Sequence, residues 1–139
     1  MILHKTDNRI ICLTDQSIVM GNYRTLLAYQ KVFEEAMEIF EISKTFPPEE
    51  KFSLTDQVRR SSRSVCTNLA ESYKRRRYKD YFVSKLNDSE TENAETQVWL
   101  DFAIVCKYIH QEKYTGITAK NDEAGKLIWY MINNPGKYL

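Results

Sequence analysis

Glycine and proline are scarce in this sequence, with four and three residues respectively among 139. An all-β fold needs many tight turns, and these two residues supply most of the backbone conformations that tight turns require. Their scarcity argues against a sandwich or a barrel. No run of about 18 apolar residues occurs, so we expect no membrane-spanning helix. The N-terminus also lacks the long apolar stretch that follows the basic start of a signal peptide.

Cysteine and histidine are sparse as well. Cys12, Cys66 and Cys106 are an odd number of cysteines at wide spacing, which is typical of reduced thiols in a cytoplasmic protein rather than of a disulfide framework. The only histidines are His4 and His110, so the chain has none of the Glu-x-x-His pairs that hold di-iron sites in helical bundles. No Walker loop or dinucleotide fingerprint occurs either. The sequence therefore predicts no metal and no cofactor.

Apolar residues recur at steps of three and four after residue 22, and this spacing predicts four amphipathic helices. The helices are expected to begin near Tyr23, Ser53, Lys79 and Thr118. The links between them are short and no strand has a convincing partner. The sequence therefore predicts an all-α protein, an antiparallel up-and-down four-helix bundle. A chain of 139 residues can bury the core of one such domain without disulfides.

The predicted bundle covers residues 23–134 and leaves a segment at each end. Residues 135–139 are expected to form a C-terminal tail. Residues 1–22 have two interpretations. They form an N-terminal arm that is poorly ordered because it has no docking surface, or they are an extension upstream of a natural start at Met20.

The spacing of apolar residues predicts which face of each helix is buried, and capping residues predict where the helices begin. The first helix has its stripe at Leu26, Tyr29, Phe33, Met37 and Phe40, with its glutamates largely off that stripe. The second helix has its stripe at Leu54, Val58, Ser61, Val65, Leu69 and Ser72. Ser53 with Asp56 resembles a capping box at the start of the second helix. We expect Gly116 to turn the chain before the fourth helix, with Thr118 as its N-cap and Ile117 as a hydrophobic staple.

A run of basic residues joins the second and third helices. Residues 57–87 carry nine basic side chains against two acidic ones, a local net charge of +7, although the whole chain has only +1. Arginine forks match phosphate oxygens, and Tyr73 and Tyr78 could stack on unpaired bases. The other interpretation is a solvated loop whose cations are favoured by the dipole of the second helix. The candidate nucleic-acid ligands are Arg59, Arg63, Lys74, Arg75, Arg76, Arg77 and Lys79.

Five carboxylates and no basic residue lie between positions 88 and 101, in the predicted third helix. Asp88, Glu92 and Glu95 share one helix face. A metal site is disfavoured because no histidine accompanies them. We expect these carboxylates to pair with the arginines of residues 59–63, within one chain or across an interface, where they would specify register more than stability. Glu92, Glu95 and Trp99 are the candidate structural or interface residues.

A catalytic site has little support. Cys106 and His110 are four residues apart and could meet on one helix face, but no oxyanion hole or orienting third group accompanies them. A lone thiol on an apolar helix is usually a core residue. Aromatic residues such as Trp129 and Tyr130 are expected in the core or at a subunit interface. The sequence therefore predicts that the protein is not an enzyme.

Several short motifs occur in an order that is specific in combination, although each motif alone is weak. They are Tyr23-Arg24-x-Leu26, FPPEE at residues 46–50, LTxQxRRSS from Leu54, NxAE from Asn68, KDY from Lys79 and ExxETxxWL from Glu92. Over roughly residues 22–134 the sequence resembles the four-helix bundle proteins encoded by intervening sequences of bacterial 23S rRNA genes. It departs from the commoner pattern at Ser72, where many relatives carry glycine, and residues 1–20 lie outside that pattern.

The resemblance implies an up-and-down bundle that assembles into a ring-like homopentamer. It also implies relatedness to the accessory proteins of diversity-generating retroelements, which bind reverse transcriptase and nucleic acid. No enzymatic activity is established for the family. The partners that the resemblance implies are therefore copies of the chain itself, RNA or DNA, and a reverse transcriptase.

Two functional hypotheses follow. In the first, a homo-oligomeric bundle presents its basic junction to nucleic acid, as the local charge of +7 suggests. In the second, the protein is an interaction or structural module whose charges serve self-assembly and partner docking, as the near-neutral total charge suggests. Salt separates them, because phosphate binding weakens steeply as salt rises whereas apolar burial does not.

Overall fold

The structure is a computed structural model that describes residues 22–139. Four helices account for most of this part of the chain: α1 (Leu27–Ser43), α2 (Leu54–Lys74), α3 (Lys79–Val105) and α4 (Gln111–Asn133). Short 3-10 turns precede α1, link α1 to α2, and follow α4. No strand occurs in residues 22–139, and none of the four helices is both long enough and apolar enough to cross a membrane. The predicted N-terminal arm lies outside the described residues, apart from Asn22.

Contacts between neighbouring helices show that the bundle is up-and-down. Thr96 of α3 meets Ser61 of α2, whereas Ser89, earlier in α3, meets Val65, later in α2. In the same way Asn93 of α3 meets Asn121 of α4 whereas Gln97, later in α3, meets Thr118, earlier in α4, so these helices are antiparallel. Helix α1 packs on α2 and α4. The all-α four-helix bundle that the sequence predicts is confirmed.

The buried residues of α2 follow the predicted stripe. Leu54, Val58, Ser61, Val65, Leu69 and Ser72 are all buried. Steps of four and three keep one face of the helix toward its neighbours, as in a heptad seam. Two hydrophobic clusters lie at the two ends of the bundle, one around Phe82 and Leu86 and the other around Leu100 and Ile117.

The predicted stripe of α1 is wrong. The core face holds Ala28, Val32, Glu35, Ala36, Ile39 and Ser43, whereas the aromatic residues of the predicted stripe are only partly buried. Tyr29 and Phe33 pack against the edge of one hydrophobic cluster. The prediction followed residue size, but the alanines of α1 let its backbone approach the other helices closely, so the large rings cover the margin of the core.

The turn between α3 and α4 also differs from the prediction. The chain turns at residues 106–110, where Lys107 has a φ of 64°. The N–H of Tyr108 donates to the carbonyl of Ala103 (2.9 Å), and the N–H of Lys107 donates to that of Ile104 (3.0 Å). These two bonds form a Schellman motif with lysine in the position that glycine usually occupies.

Helix α4 therefore begins seven residues before the predicted N-cap. Gly116 lies inside the helix, and Ile117 is fully buried in the core rather than acting as a staple. Thr118 does not cap the helix, because it lies in the second turn, where its hydroxyl accepts a hydrogen bond from the Nε2 of Gln97 (3.2 Å). His110 is the N-cap, and its side chain makes no capping hydrogen bond.

The capping box predicted at the start of α2 is not formed. The hydroxyl of Ser53 donates to Glu50, and the carboxylate of Glu50 also accepts the N–H of Leu54 (3.3 Å). Tyr108 donates its phenol to the other oxygen of Glu50 (2.8 Å). These three donors lower the pKa of Glu50. Glu50, which precedes the helix, thus caps the start of α2 in place of the predicted Ser53–Asp56 pair. Its hydrogen bond with Tyr108 also joins the α1–α2 link to the α3–α4 turn.

A buried polar network crosses the middle of the bundle. Asn121 of α4 donates its amide to Glu35 of α1 (2.8 Å) and to the carbonyl of Asn93 in α3 (3.1 Å). Asn93 returns a hydrogen bond to the carbonyl of Asn121 (3.1 Å). Gly125 lies one turn further along α4, where a Cβ would be 3.3 Å from the Asn93 amide. The network therefore needs a close approach of α3 and α4 at this level.

Glu35 carries an electrostatic cost in this network. Only 3% of it is exposed, and burial raises its pKa to about 7. The hydrogen bond from Asn121 opposes this shift and only partly offsets it. The carboxyl group is therefore harder to ionise in the folded protein than in the unfolded chain.

Replacing Glu35 by Gln should change how stability depends on pH. Folded Glu35 keeps its proton up to about pH 7, whereas the unfolded side chain loses it near 4.5. The folded state thus binds more protons in this window, and wild-type stability falls as pH rises through it, by roughly 3 kcal/mol. Urea unfolding should show the variant gaining about that amount relative to wild type between pH 4.5 and pH 8. Glu112→Gln, at an exposed position, should show no such trend. If the difference in free energy of unfolding between Glu35→Gln and wild type were the same at every pH, this account would be contradicted.

Lys107→Gly should stabilise the protein. A lysine in the left-handed region costs about 1 kcal/mol that glycine does not incur, so we expect a gain of about that size in the free energy of unfolding. Lys113→Gly, at an exposed position inside α4, is the matched control and should lose about 1 kcal/mol. A destabilised Lys107→Gly variant would show that the lysine side chain stabilises this turn.

Candidate nucleic-acid interface

The basic run forms the turn between α2 and α3. Helix α2 ends at Lys74 because Arg75 leaves the helical conformation, with its N–H donating to the carbonyls of Glu71 (3.2 Å) and Ser72 (2.9 Å). Tyr78 then adopts an extended backbone and precedes the first residue of α3. Long polar side chains cannot be buried in so short a turn, so the turn projects them into solvent.

Four cations and two aromatic rings are exposed together at this turn. We call this the junction surface, and it consists of Lys74, Arg75, Arg77, Tyr78, Lys79 and Tyr81. Tyr78 and Tyr81 are each 59% exposed, and their ring centroids are 6.4 Å apart in an edge-to-face arrangement. The guanidinium of Arg75 lies 5.6 Å from the ring centroid of Tyr81. None of the four cations forms a salt bridge with a carboxylate of residues 22–139.

Arg76 differs from its neighbours because its guanidinium is engaged within the protein. Its Nε donates to the carbonyl of Tyr73 (2.8 Å), and its Nη1 donates to the carbonyl of Tyr138 (3.2 Å). The guanidinium also lies 3.7 Å from the ring centroid of Tyr73. Tyr138 packs in turn on Phe82 of the core, with ring centroids 6.2 Å apart. Arg76 therefore holds the turn against the C-terminal segment, whereas the sequence predicted it as a phosphate ligand.

Arg59 and Arg63 lie in a separate basic cluster. The ring of Phe40 in α1 has three cations around its centroid, at 4.8 Å for Lys44, 4.8 Å for Arg59 and 5.8 Å for Arg63. We call these four residues the Phe40 cluster. At ~1.5 Å per residue, Arg63 is about 17 Å along α2 from Lys74. Of the predicted nucleic-acid ligands, four cations thus belong to the junction surface, Arg76 is engaged within the protein, and Arg59 and Arg63 lie in the Phe40 cluster.

The acidic tract of α3 does not pair with those arginines within one chain. Asp88 contacts Lys85 (3.7 Å), which also contacts Glu71 of α2 (3.1 Å). Within residues 22–139 no salt bridge joins the carboxylates of residues 88–101 to the arginines of residues 59–63. Burial and the nearby charges of Glu95 and Asp88 raise the pKa of Glu92. The intrachain pairing suggested by the sequence is therefore wrong, and within residues 22–139 Lys85 is the only cation that forms a salt bridge with these carboxylates.

Two features of the basic surfaces, one at the junction and one in the Phe40 cluster, were missed from sequence. Tyr81 takes the aromatic position that was assigned to Tyr73, because Tyr73 is covered by Arg76. The i to i+3 spacing of Tyr78 and Tyr81 around a helix start was the available signal. Lys44 was also missed, because its approach to Phe40 becomes visible only when α1 and α2 are paired.

The residues considered for chemistry do not come together. Cys106 is exposed at the end of α3, while His110 is the residue before α4, so the turn removes the helix face that they were thought to share. Cys66 is buried, and burial with the nearby Glu35 raises the pKa of its thiol to about 12. In residues 22–139 no group of three His, Cys, Asp or Glu residues is arranged to hold a metal ion.

Comparison with known proteins agrees with this architecture. A solved structure from Bacteroides thetaiotaomicron VPI-5482, a protein of unknown function from the S23 ribosomal protein family, is 30% identical to this chain. It superimposes with a TM-score of 0.70, and the match covers 77% of this chain and 96% of that chain. No curated protein matches the chain at a significant level. The family model described as 23S rRNA-intervening sequence protein matches residues 24–130. This match spans most of the bundle, and the chain therefore belongs to the 23S rRNA-intervening sequence protein family.

Proposed function

We propose that this protein is a non-enzymatic, self-assembling helical bundle that binds nucleic acid through its junction surface. The observation that carries the proposal is the exposure of four cations beside Tyr78 and Tyr81 in one short turn, none of which forms a salt bridge within residues 22–139. Lysine and arginine contact phosphates without regard to sequence, and aromatic rings stack on any unpaired base. The combination favours single-stranded segments over a closed duplex.

The turn is held in place before any ligand arrives. Arg76 links the turn to Tyr73 and Tyr138, and Tyr138 packs on the core residue Phe82. A fixed turn loses less conformational entropy on binding than a flexible one. The structural role of Arg76 thus supports the binding role of the cations on either side of it.

Self-assembly would multiply the effect of a small surface. Four phosphate contacts give modest affinity at physiological salt, but copies of the surface in one assembly act through effective concentration. The family resemblance implies five copies, and it implies a reverse transcriptase as the protein partner that would meet the same nucleic acid. Cys66 and Cys106 form no disulfide within residues 22–139, which suits a cytoplasmic location.

Reversing the charge of the junction surface should weaken nucleic-acid binding. Fluorescence anisotropy with labelled single-stranded RNA and DNA should show affinity that falls with salt, with a log–log slope of about −3 per subunit engaged. Arg75→Glu/Arg77→Glu/Lys79→Glu should weaken binding at least tenfold. The matched control is Lys51→Glu/Lys113→Glu/Lys126→Glu, which makes the same change in net charge at exposed positions elsewhere. Equal losses in both variants would indicate a non-specific charge effect, and no wild-type binding at low salt would favour a protein-docking module.

Removing the two exposed rings should affect single strands selectively. Stacking is worth about 1–3 kcal/mol per base, so Tyr78→Ala/Tyr81→Ala should weaken single-strand binding by roughly tenfold or more and leave weak duplex binding unchanged. Both rings are more than half exposed, so the fold should survive, which circular dichroism will check. Tyr130→Ala, at an exposed ring on α4, is the control. Unchanged single-strand affinity in the double variant would show that the surface contacts phosphates alone.

A further inference from the structure

Helix α3 presents apolar side chains to solvent near its C-terminal end. Val98, Phe102 and Val105 are 47%, 54% and 78% exposed, and their spacing of four and three places them on one face of the helix. Trp99 lies beside them, with its ring centroid 6.0 Å from that of Phe102. Large apolar residues grouped on one exposed helix face are typical of a protein-binding surface.

Carboxylates continue the same face toward the start of α3. Glu95 accepts a hydrogen bond from the indole N–H of Trp99 (3.3 Å), so the charged and apolar parts are in contact. Glu92 lies one turn earlier, and mutual repulsion with Glu95 and Asp88 contributes to its raised pKa. We call the set of Glu92, Glu95, Val98, Trp99, Phe102 and Val105 the α3 face. A positively charged partner would relieve the repulsion within it.

The Phe40 cluster has the complementary character. Arg59 is held in position by a hydrogen bond from its Nε to the hydroxyl of Ser43 (2.7 Å) and lies over the ring of Phe40. Arg63, one turn further along α2, is exposed. Neither arginine forms a salt bridge with a carboxylate of residues 22–139. The cluster therefore offers two guanidinium groups beside an aromatic ring, and within residues 22–139 only its Lys44 has a carboxylate partner, Glu41 (3.2 Å).

The spacing of the charges agrees on the two surfaces. Glu92 and Glu95 are three residues apart, and Arg59 and Arg63 are four residues apart, which correspond to about 4.5 Å and 6 Å along a helix. Two carboxylates and two guanidinium groups at matched spacing can pair when the helices pack side by side. Apolar contact between Phe102 or Trp99 and the region around Phe40 would supply burial that the charges alone do not.

We propose that the α3 face of one copy binds the Phe40 cluster of a second copy. This inference rests on the self-assembly proposed above but not on nucleic-acid binding, because neither surface contains a residue of the junction surface. The two surfaces differ, so the contact is heterologous. Each copy then uses its α3 face for one neighbour and its Phe40 cluster for another. Repeating the contact builds a closed ring if the rotation between neighbouring copies divides a full turn evenly.

Charge reversal and its rescue test the contact. Light scattering behind size exclusion, on the full chain without nucleic acid, should give a mass several times 16.4 kDa for the wild type. Arg63→Glu and Glu95→Arg should each raise the concentration needed for assembly at least tenfold, because each places like charges at the contact. The Arg63→Glu/Glu95→Arg double variant should recover most of the assembly, because it restores an opposite-charge pair.

Phe102→Ser provides an independent test through the apolar part of the α3 face. Phe102 is more than half exposed, so the variant should keep its helicity while losing assembly. Lys113→Glu and Glu112→Arg reverse exposed charges outside both surfaces and should assemble as the wild type does. A monomeric wild type at micromolar concentration would overturn both self-assembly and this contact. An assembly that none of the three substitutions weakens would overturn the contact alone.

Discussion

The bundle depends on a polar layer that α3 carries across the middle of the core. Between its two apolar ends, α3 buries Ser89, Asn93 and Thr96, and each makes a hydrogen bond to a neighbouring helix. Ser89 donates to α2 at one level, Thr96 to α2 at another, and Asn93 to α4 between them. Buried polar groups are costly unless paired, so a shift of one helix turn would leave several donors unsatisfied. Hydrophobic packing alone would tolerate such a shift more easily, and the polar layer therefore fixes the register.

The same layer explains the unusual outer surface of α3. When the inner face of a helix is polar, the difference in hydrophobicity between its inner and outer faces is too small to fix how the helix is oriented in the bundle. In α3 the contrast is partly reversed, because Asn93 and Thr96 are buried while Val98 and Phe102 are exposed. Such a helix is well suited to pack on both sides, with hydrogen bonds specifying the inner contact and apolar burial available for an outer one. The α3 face thus lies on the same helix whose inner side carries the polar layer.

The sequence predicted features that depend on regular spacing and missed features that depend on pairing. The stripe of α2 was predicted correctly because its small and apolar residues recur at steps of three and four, and no large apolar residue on another face of the helix suggested a different stripe. In α1 the large rings of Tyr29 and Phe33 suggested the wrong face, since the packing of Ala28 and Ala36 becomes apparent only with the neighbouring helices present. The start of α4 was missed because His110 makes no side-chain cap and Gly116 lies within the helix. At the junction the sequence identified the basic residues. It could not show that Arg76 donates a hydrogen bond to Tyr138, because that contact is visible only once the C-terminal segment is placed beside the turn.

The junction surface and the proposed assembly contact occupy different parts of the molecule for a physical reason. Cations that bind phosphate must stay hydrated and accessible until the ligand arrives, so they gather at a turn, where no neighbouring helix covers them. Charges that specify an interface instead lie on rigid helix faces, as Arg63 does on α2 and Glu95 on α3, because a fixed spacing lets them match a partner. On these two proposals the exposed arginines of the turn and those beside Phe40 have different partners. Those in the turn suit a flexible polyanion, and those over Phe40 suit a folded surface of opposite charge.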